Sequence, residues 1–303
     1  MSEEATAAGP SPDPGVPSPR EPASASGVRQ IVGLFVVPLL VVIMCVGVFV
    51  LFGWVAYDRQ SVGDYLNDLR DNRSFFAHRR KQAAYELSKI LSADPEALNE
   101  EPGGEVELRR LFERTEDIWV RRYLALVLGH IEDREAVPLL IDAAGGEDSQ
   151  TRIYALMSLG SIGDRRGLAA VQAGIADSDA GIRKTAAYAL GGFDEPQVAD
   201  SLAVLVEDPV ADVRWNAALA LSELGRDEGV EVLEQMLDRR FLSQVPEITP
   251  LQQEEAMIGA LRALVRLEQS GKLELVSVLA EEDPSLKVRQ AAIKARRALR
   301  SEG

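Results

Sequence analysis

Apolar positions recur at helical spacing through most of the chain beyond residue 60. In "IRKTAAYALGG", residues 182–192, the side chains of Ile182, Ala186, Ala189 and Leu190 share one helical face, and Gly191 with Gly192 ends the run. The preceding "RRGLAAVQAGIADSD" carries its own stripe through Leu168, Val171 and Ile175. This pair of patterns repeats. An arginine followed seven residues later by leucine occurs at Arg121, Arg152, Arg183 and Arg214, and successive arginines are 31 residues apart. Arg80 fits the same frame 41 residues before Arg121, with "SADPEALNEEPGGE" as a longer connection. Arg289 fits it 75 residues after Arg214, which leaves room for one further unit, "EEAMIGALRALVRLE", behind the Pro-containing insertion "FLSQVPEITP". A short amphipathic helix pair cannot bury its apolar face alone, whereas stacked pairs make a continuous core. The expected fold is therefore all-α, an α-solenoid of about seven helix pairs over residues 61–300.

Ahead of the repeats the pattern changes twice. Residues 31–57 run for 27 positions without a charge, and at about 1.5 Å per residue such a helix exceeds a hydrocarbon core of about 30 Å. A cleavable signal peptide would have a shorter apolar region nearer the terminus and a small-residue cleavage site, which "FGWVAYDRQ" does not offer. The segment is expected to be a single transmembrane helix, with Trp54 and Tyr57 at the interface. Its glycines are nowhere spaced as G-x-x-x-G, so no helix-dimerisation code is visible. Residues 1–29, rich in Pro, Ser, Ala and Gly, lack the apolar content for a core and are expected to be a disordered tail. Arg20 and Arg29 flank the span on one side, against Arg59, Arg70 and Arg73 and then Arg79, Arg80 and Lys81 on the other. Positive residues favour the cytoplasmic side, so the solenoid is expected there.

Charge and chemistry narrow the function by exclusion. The net charge of −15 lies almost wholly beyond residue 57, and no basic stripe with interleaved aromatics accompanies it, so nucleic acid is not an expected partner. The one cysteine, Cys45, excludes an intramolecular disulfide. His78 and His130 fall in different units, too few and too far apart for a zinc site, and no G-x-S-x-G, P-loop, dinucleotide fingerprint or H-E-x-x-H is present. His130 ends a helix and is expected to make a C-terminal charge or cap contact. No catalytic residue, metal ligand or cofactor is assigned.

"TRIYALMSLGSIGD", "IRKTAAYALGGF" and "VRWNAALALSELG" resemble the HEAT-repeat family, in particular its short bacterial, phycobilisome-lyase-type variety. The resemblance covers roughly residues 61–300 and is weakest around 250–268. It implies an Asp/Arg ladder between repeats, and the matching residues are Arg121, Arg152, Arg183, Arg214 and Arg289 with Asp117, Asp148 and Asp179, each Asp four before its arginine. Asp208 and Asp283 lie six before theirs and depart from that spacing. The resemblance also implies that the second helix of each pair lines the concave surface. There, positions five after the arginine form a column, Tyr85, Leu126, Met157, Tyr188 and Leu219, flanked one after the arginine by Lys81, Arg122, Ile153, Lys184 and Trp215. Two interpretations stay open: packing between helices, or a groove for a partner with Tyr85, Leu126, Met157, Tyr188, Trp215 and Leu219 as contacts. The expected function is a non-enzymatic, membrane-anchored scaffold or adaptor for a protein partner, possible as an accessory subunit of a membrane complex; the alternative implied by the resemblance is a phycobilin-lyase-like enzyme handling tetrapyrroles.

Overall fold

The computed structural model describes residues 37–56, 61–71, 77–246 and 248–301, and they fall into two compact units. The first holds α1 (Val37–Ala56), 20 residues of helix with no charged residue. Its described side chains, Pro38 to Val50, are all exposed on every side of the helix. Among the described residues no helix is long and apolar enough to cross a membrane. The proposed tail 1–29, and positions 31–36 and 57 of the proposed span, lie outside the described residues.

The second unit is helical throughout its described residues. Its helices are α2 (Val62–Arg70), α3 (Ala77–Ala93), α4 (Gly104–Arg114), α5 (Ile118–His130), α6 (Val137–Ala144), α7 (Ser149–Ile162), α8 (Leu168–Ala173) and α9 (Ala180–Leu190). They continue as α10 (Gln197–Leu205), α11 (Ala211–Glu223), α12 (Val230–Leu237), the short α13 (Arg239–Leu242), α14 (Pro250–Arg266), α15 (Leu273–Glu282) and α16 (Leu286–Ser301). Each first helix packs on the second helix of its pair: α2 on α3, α4 on α5, α6 on α7, α8 on α9, α10 on α11, α12 on α14 and α15 on α16. The second helices α3, α5, α7, α9, α11, α14 and α16 then stack in that order. Seven pairs make one solenoid layer of first helices and one of second helices, and the weakly patterned unit at 250–268 takes its place through α14.

The leucine seven after the arginine in five of the units forms the spine of the core. Leu87, Leu128, Leu159, Leu190 and Leu221 are all at most 1% exposed, and burying each contributes about 1.5–3 kcal/mol. Buried side chains form one cluster from Val62 to Leu221 and a second from Trp215 to Leu299; α11 supplies Val213, Ala217 and Leu221 to the first and Trp215 and Ala218 to the second. Aspartates start the second helices: the carboxylates of Asp117, Asp148 and Asp179 accept from the backbone N–H of Trp119, Thr151 and Gly181. Thr249 with Gln252 builds a capping box on α14. Close stacking needs glycine at one place in particular. A Cβ on Gly160 would come 2.6 Å from the Ala189 Cα, so a side chain there would force α7 and α9 apart.

Candidate functional site: the second-helix face and its ladder

Two interleaved ladders of ion pairs link neighbouring units, and their pairing differs from the expected one. Arg152 and Arg183 reach forward to an aspartate six before the next frame arginine. Arg183 donates from Nε to Asp208 Oδ2 at 2.7 Å and from Nη2 to Oδ1 at 3.1 Å, and the Arg152 guanidinium grips Asp177. In each case the aspartate's Oδ1 also accepts from the backbone N–H two residues on, Asp179 or Val210. Its backbone carbonyl is then met by the arginine of its own unit: Arg183 Nη1 donates to Asp177 O at 2.8 Å and Arg214 Nη1 to Asp208 O at 2.7 Å. Asp283 repeats the arrangement, with Ser285 N–H on its carboxylate and Arg289 on its carbonyl. The aspartate at six before the arginine, set apart in the sequence as a departure, is thus the ladder position. At the equivalent place before Arg121 stands Thr115, and Arg80 Nη2 of the preceding unit donates to its hydroxyl at 3.4 Å.

Two of the helix-capping aspartates, Asp117 and Asp148, serve the second ladder. Asp148 takes a two-bond fork from Arg122, 2.8 Å from Nε and 2.6 Å from Nη2, rather than from Arg121 or Arg152. Lys81 lies 3.9 Å from Asp117, and Lys184 lies 3.5 Å from Asp212. Asp179 caps its helix and makes no ion pair with Arg183. Arg121 instead places its guanidinium 5.7 Å from the centre of the Phe112 ring. In the unit around 250–268, which has no frame arginine, Arg239 on α13 supplies the missing rung with two bonds to Asp283, 2.7 and 2.8 Å. The Arg122 fork holds the Asp148 carboxyl far below the usual carboxylate range, and the Arg183 fork lowers Asp208. Asp177 is lowered first by the Asp179 N–H and then by Arg152.

The flanking basic residues of the second-helix face are therefore consumed by the ladder, and the column beside them is what remains for a partner. Leu126, Met157 and Tyr188 converge on one cleft of about 330 Å³. Gly129, Gly160, Gly191 and Gly192 also line it, and at Gly129, Gly160 and Gly192 the neighbouring backbone or side chain comes too close for a Cβ. Leu126 and Met157 are half-buried, while Tyr188 is 61% exposed. Tyr85 is also exposed and meets Tyr123 edge-on, ring centres 5.4 Å apart, at the start of the column. His130 lines the same cleft, and its burial lowers its pKa, which favours a neutral imidazole over the charged C-terminal contact expected of it.

Trp215 and Leu219 lie elsewhere, on a second cleft of about 970 Å³ walled by α11, α13 and α14. Leu219 is half-buried there. Trp215 is only 7% exposed and belongs to the core with Leu233 and Met236, so it is a packing residue and not an exposed contact. The insertion contributes to this: Phe241 on α13 packs against the same core and lines the same cleft as Trp215. The Trp215 indole nitrogen has no hydrogen-bond partner among the described residues. Among the described residues no group of His, Cys, Asp and Glu is arranged to hold a metal ion.

The family model for HEAT repeats matches residues 107–188 and 169–243. A comparison with curated proteins finds no match. Among solved structures, the CpcE–CpcF complex of phycocyanin lyase from Nostoc is 22% identical, with a TM-score of 0.49, covering 80% of this chain and 95% of that one. An archaeal HEAT-like repeats protein from Thermococcus onnurineus is 15% identical, with a TM-score of 0.43, covering 72% of this chain and 97% of that one. Human deoxyhypusine hydroxylase is 17% identical, with a TM-score of 0.31, covering 82% and 99%. Likenesses this distant do not bear on activity. Residues 107–243 match the HEAT-repeat family, and the helix pairing on both sides carries the same architecture from Val62 to Ser301.

Proposed function

We propose that the protein is a membrane-anchored HEAT-repeat scaffold that holds a protein partner beside the bilayer, as an accessory subunit of a membrane complex. The observation that carries the proposal is α1, 20 helical residues without a charge, whose described side chains from Pro38 to Val50 are exposed and almost all apolar, set before a separately compact repeat unit. A helix that is apolar all round has no solvent-facing side, and a lipid environment is the natural match for it. On the repeat unit, the supporting feature is the column ending at Tyr188, which leaves an aromatic ring exposed between half-buried apolar neighbours. The excess of Arg and Lys following the span supports a solenoid on the cytoplasmic side. No metal, cofactor or catalytic group enters this account; the structure contributes ladder, core and face.

Attachment is tested by washing membranes in carbonate. The full chain is expected to stay entirely in the pellet, and a chain beginning at residue 61 to move to the supernatant with its helical circular dichroism intact. Release of the full chain by carbonate would remove the anchor from the account.

A further inference from the structure

The last two helix pairs carry a surface unlike the rest of this acidic chain. Between α14 and α16 runs a groove of about 480 Å³. Its floor is apolar: Ile258, Leu261 and Val265 on one side face the small Ala291, Ala295 and Ala298 on the other. Its rim is cationic, with Arg262, Lys287 and Lys294, and no carboxylate lines it. The other described clefts each contain at least one carboxylate. Lys287 reaches Glu254 at 3.5 Å with its side chain still 67% exposed, and among the described residues Arg262 and Lys294 make no ion pair. This differs from the preceding units, where the basic residues of the second helices are taken up by the ladder. Three exposed cations thus ring an apolar trough in a chain of net charge −15, and two of them, Arg262 and Lys294, have no ion-pair partner among the described residues.

We propose that this groove binds an acidic amphipathic helix of a partner protein. The floor residues recur at three and four positions on both walls and extend for about two helical turns, which is the span of an i, i+3, i+7 apolar stripe on a bound helix. The alanines on α16 lower one wall enough for larger apolar side chains to enter. Glutamates or aspartates beside that stripe then fall opposite Arg262, Lys287 and Lys294. A flat bilayer fits a trough between helices poorly. Nucleic acid is disfavoured by the absence of an aromatic side chain in the lining. The groove is separate from the column through Leu126, Met157 and Tyr188, so failure at one surface leaves the other standing.

The test uses the full chain in mild detergent and a fluorescent synthetic helix with leucines on one face and glutamates on the other. A Leu/Lys peptide of the same pattern is the charge control, and phosphatidylglycerol-containing vesicles are the lipid control. The Leu/Glu helix is expected to bind, to weaken with added salt, and to lose about tenfold or more in affinity in the Arg262→Glu, Lys294→Glu double variant. Both positions are exposed, so melting temperature is expected to stay unchanged; the milder Arg262→Ala, Lys294→Ala pair, expected to lose about threefold or more, serves if the reversal disturbs folding. Equal binding by wild type and variants, or equal binding of the Leu/Lys helix, would overturn the proposal. So would a charge-reversal effect confined to vesicle binding, or to self-association measured by sedimentation, since these would assign the groove to a lipid surface or to a second copy.

Discussion

Trp215→Ala is expected to cost about 3–5 kcal/mol of stability, the range for truncating a buried aromatic, whereas Tyr188→Ala is expected to change stability by less than about 0.5 kcal/mol. The difference follows from placement. Trp215 is 7% exposed and wedged among Leu233, Met236 and the insertion, so its loss leaves a cavity lined by groups that cannot all collapse into it. Tyr188 stands on a second helix with most of its ring in solvent, so its loss removes little buried area. Thermal or urea unfolding of the two variants, followed by circular dichroism in detergent, checks both numbers. A neutral Trp215→Ala would show that the second cleft, rather than the core, owns this side chain.

Arg183→Ala is expected to cost about 2–4 kcal/mol, because it strips the buried Asp208 carboxylate of both guanidinium bonds and leaves the Asp177 carbonyl without its donor. Val210 N–H still serves Asp208, which keeps the cost below that of a fully orphaned charge. Arg166→Ala is the matched control: its pair with Asp164 is exposed on the surface, and its loss should cost about 1 kcal/mol or less. The ladder also fixes the sign of an acid effect. Arg183 lowers the pKa of Asp208 in the folded protein, so the stability it contributes is complete above the unfolded value of about 3.9 and is lost as pH falls through the lower folded value. The stability gap between wild type and Arg183→Ala is therefore expected to be flat above about pH 5 and to narrow below about pH 4. A gap unchanged at acidic pH would mean that Asp208 is not the partner that matters.

The period was legible because it lives within a unit. Arginine, leucine seven later and a capping aspartate four earlier are spacings along one chain, and Leu128, Leu159 and Leu190 are buried where that spacing puts them. The ladder was only half legible because its bonds run between units. The resemblance to HEAT repeats implied Asp179 as a ladder partner of Arg183, whereas the structure gives Asp179 to its own helix N-terminus and sends Arg183 forward to Asp208. Asp177 had the same offset as Asp208 and Asp283, six before the arginine, and that shared offset was the signal that could have identified the rung. Arg239 offered no such signal, since it sits in the insertion outside any repeat frame. The helical wheel put Tyr85, Leu126, Met157, Tyr188 and Leu219 in one column; the structure brings Leu126, Met157 and Tyr188 to one cleft and Leu219 to another. The wheel erred for Trp215 because it describes one helix and cannot anticipate Phe241, brought to the same cleft by the same insertion. The cationic groove drew no notice for a related reason: Arg262 and Lys294 belong to different units, and only the stacking of α14 on α16 sets them around one floor.

The central claim is that the membrane-tethered solenoid presents its second-helix face to a protein. It is tested most directly by photo-crosslinking in native membranes, with benzoylphenylalanine placed at Tyr188 and, separately, at Val204, an exposed residue on the first helix α10. The account predicts an adduct of one defined size from position 188 and none from position 204. Adducts of equal yield at both positions, or none at 188 while 204 reacts, would contradict it.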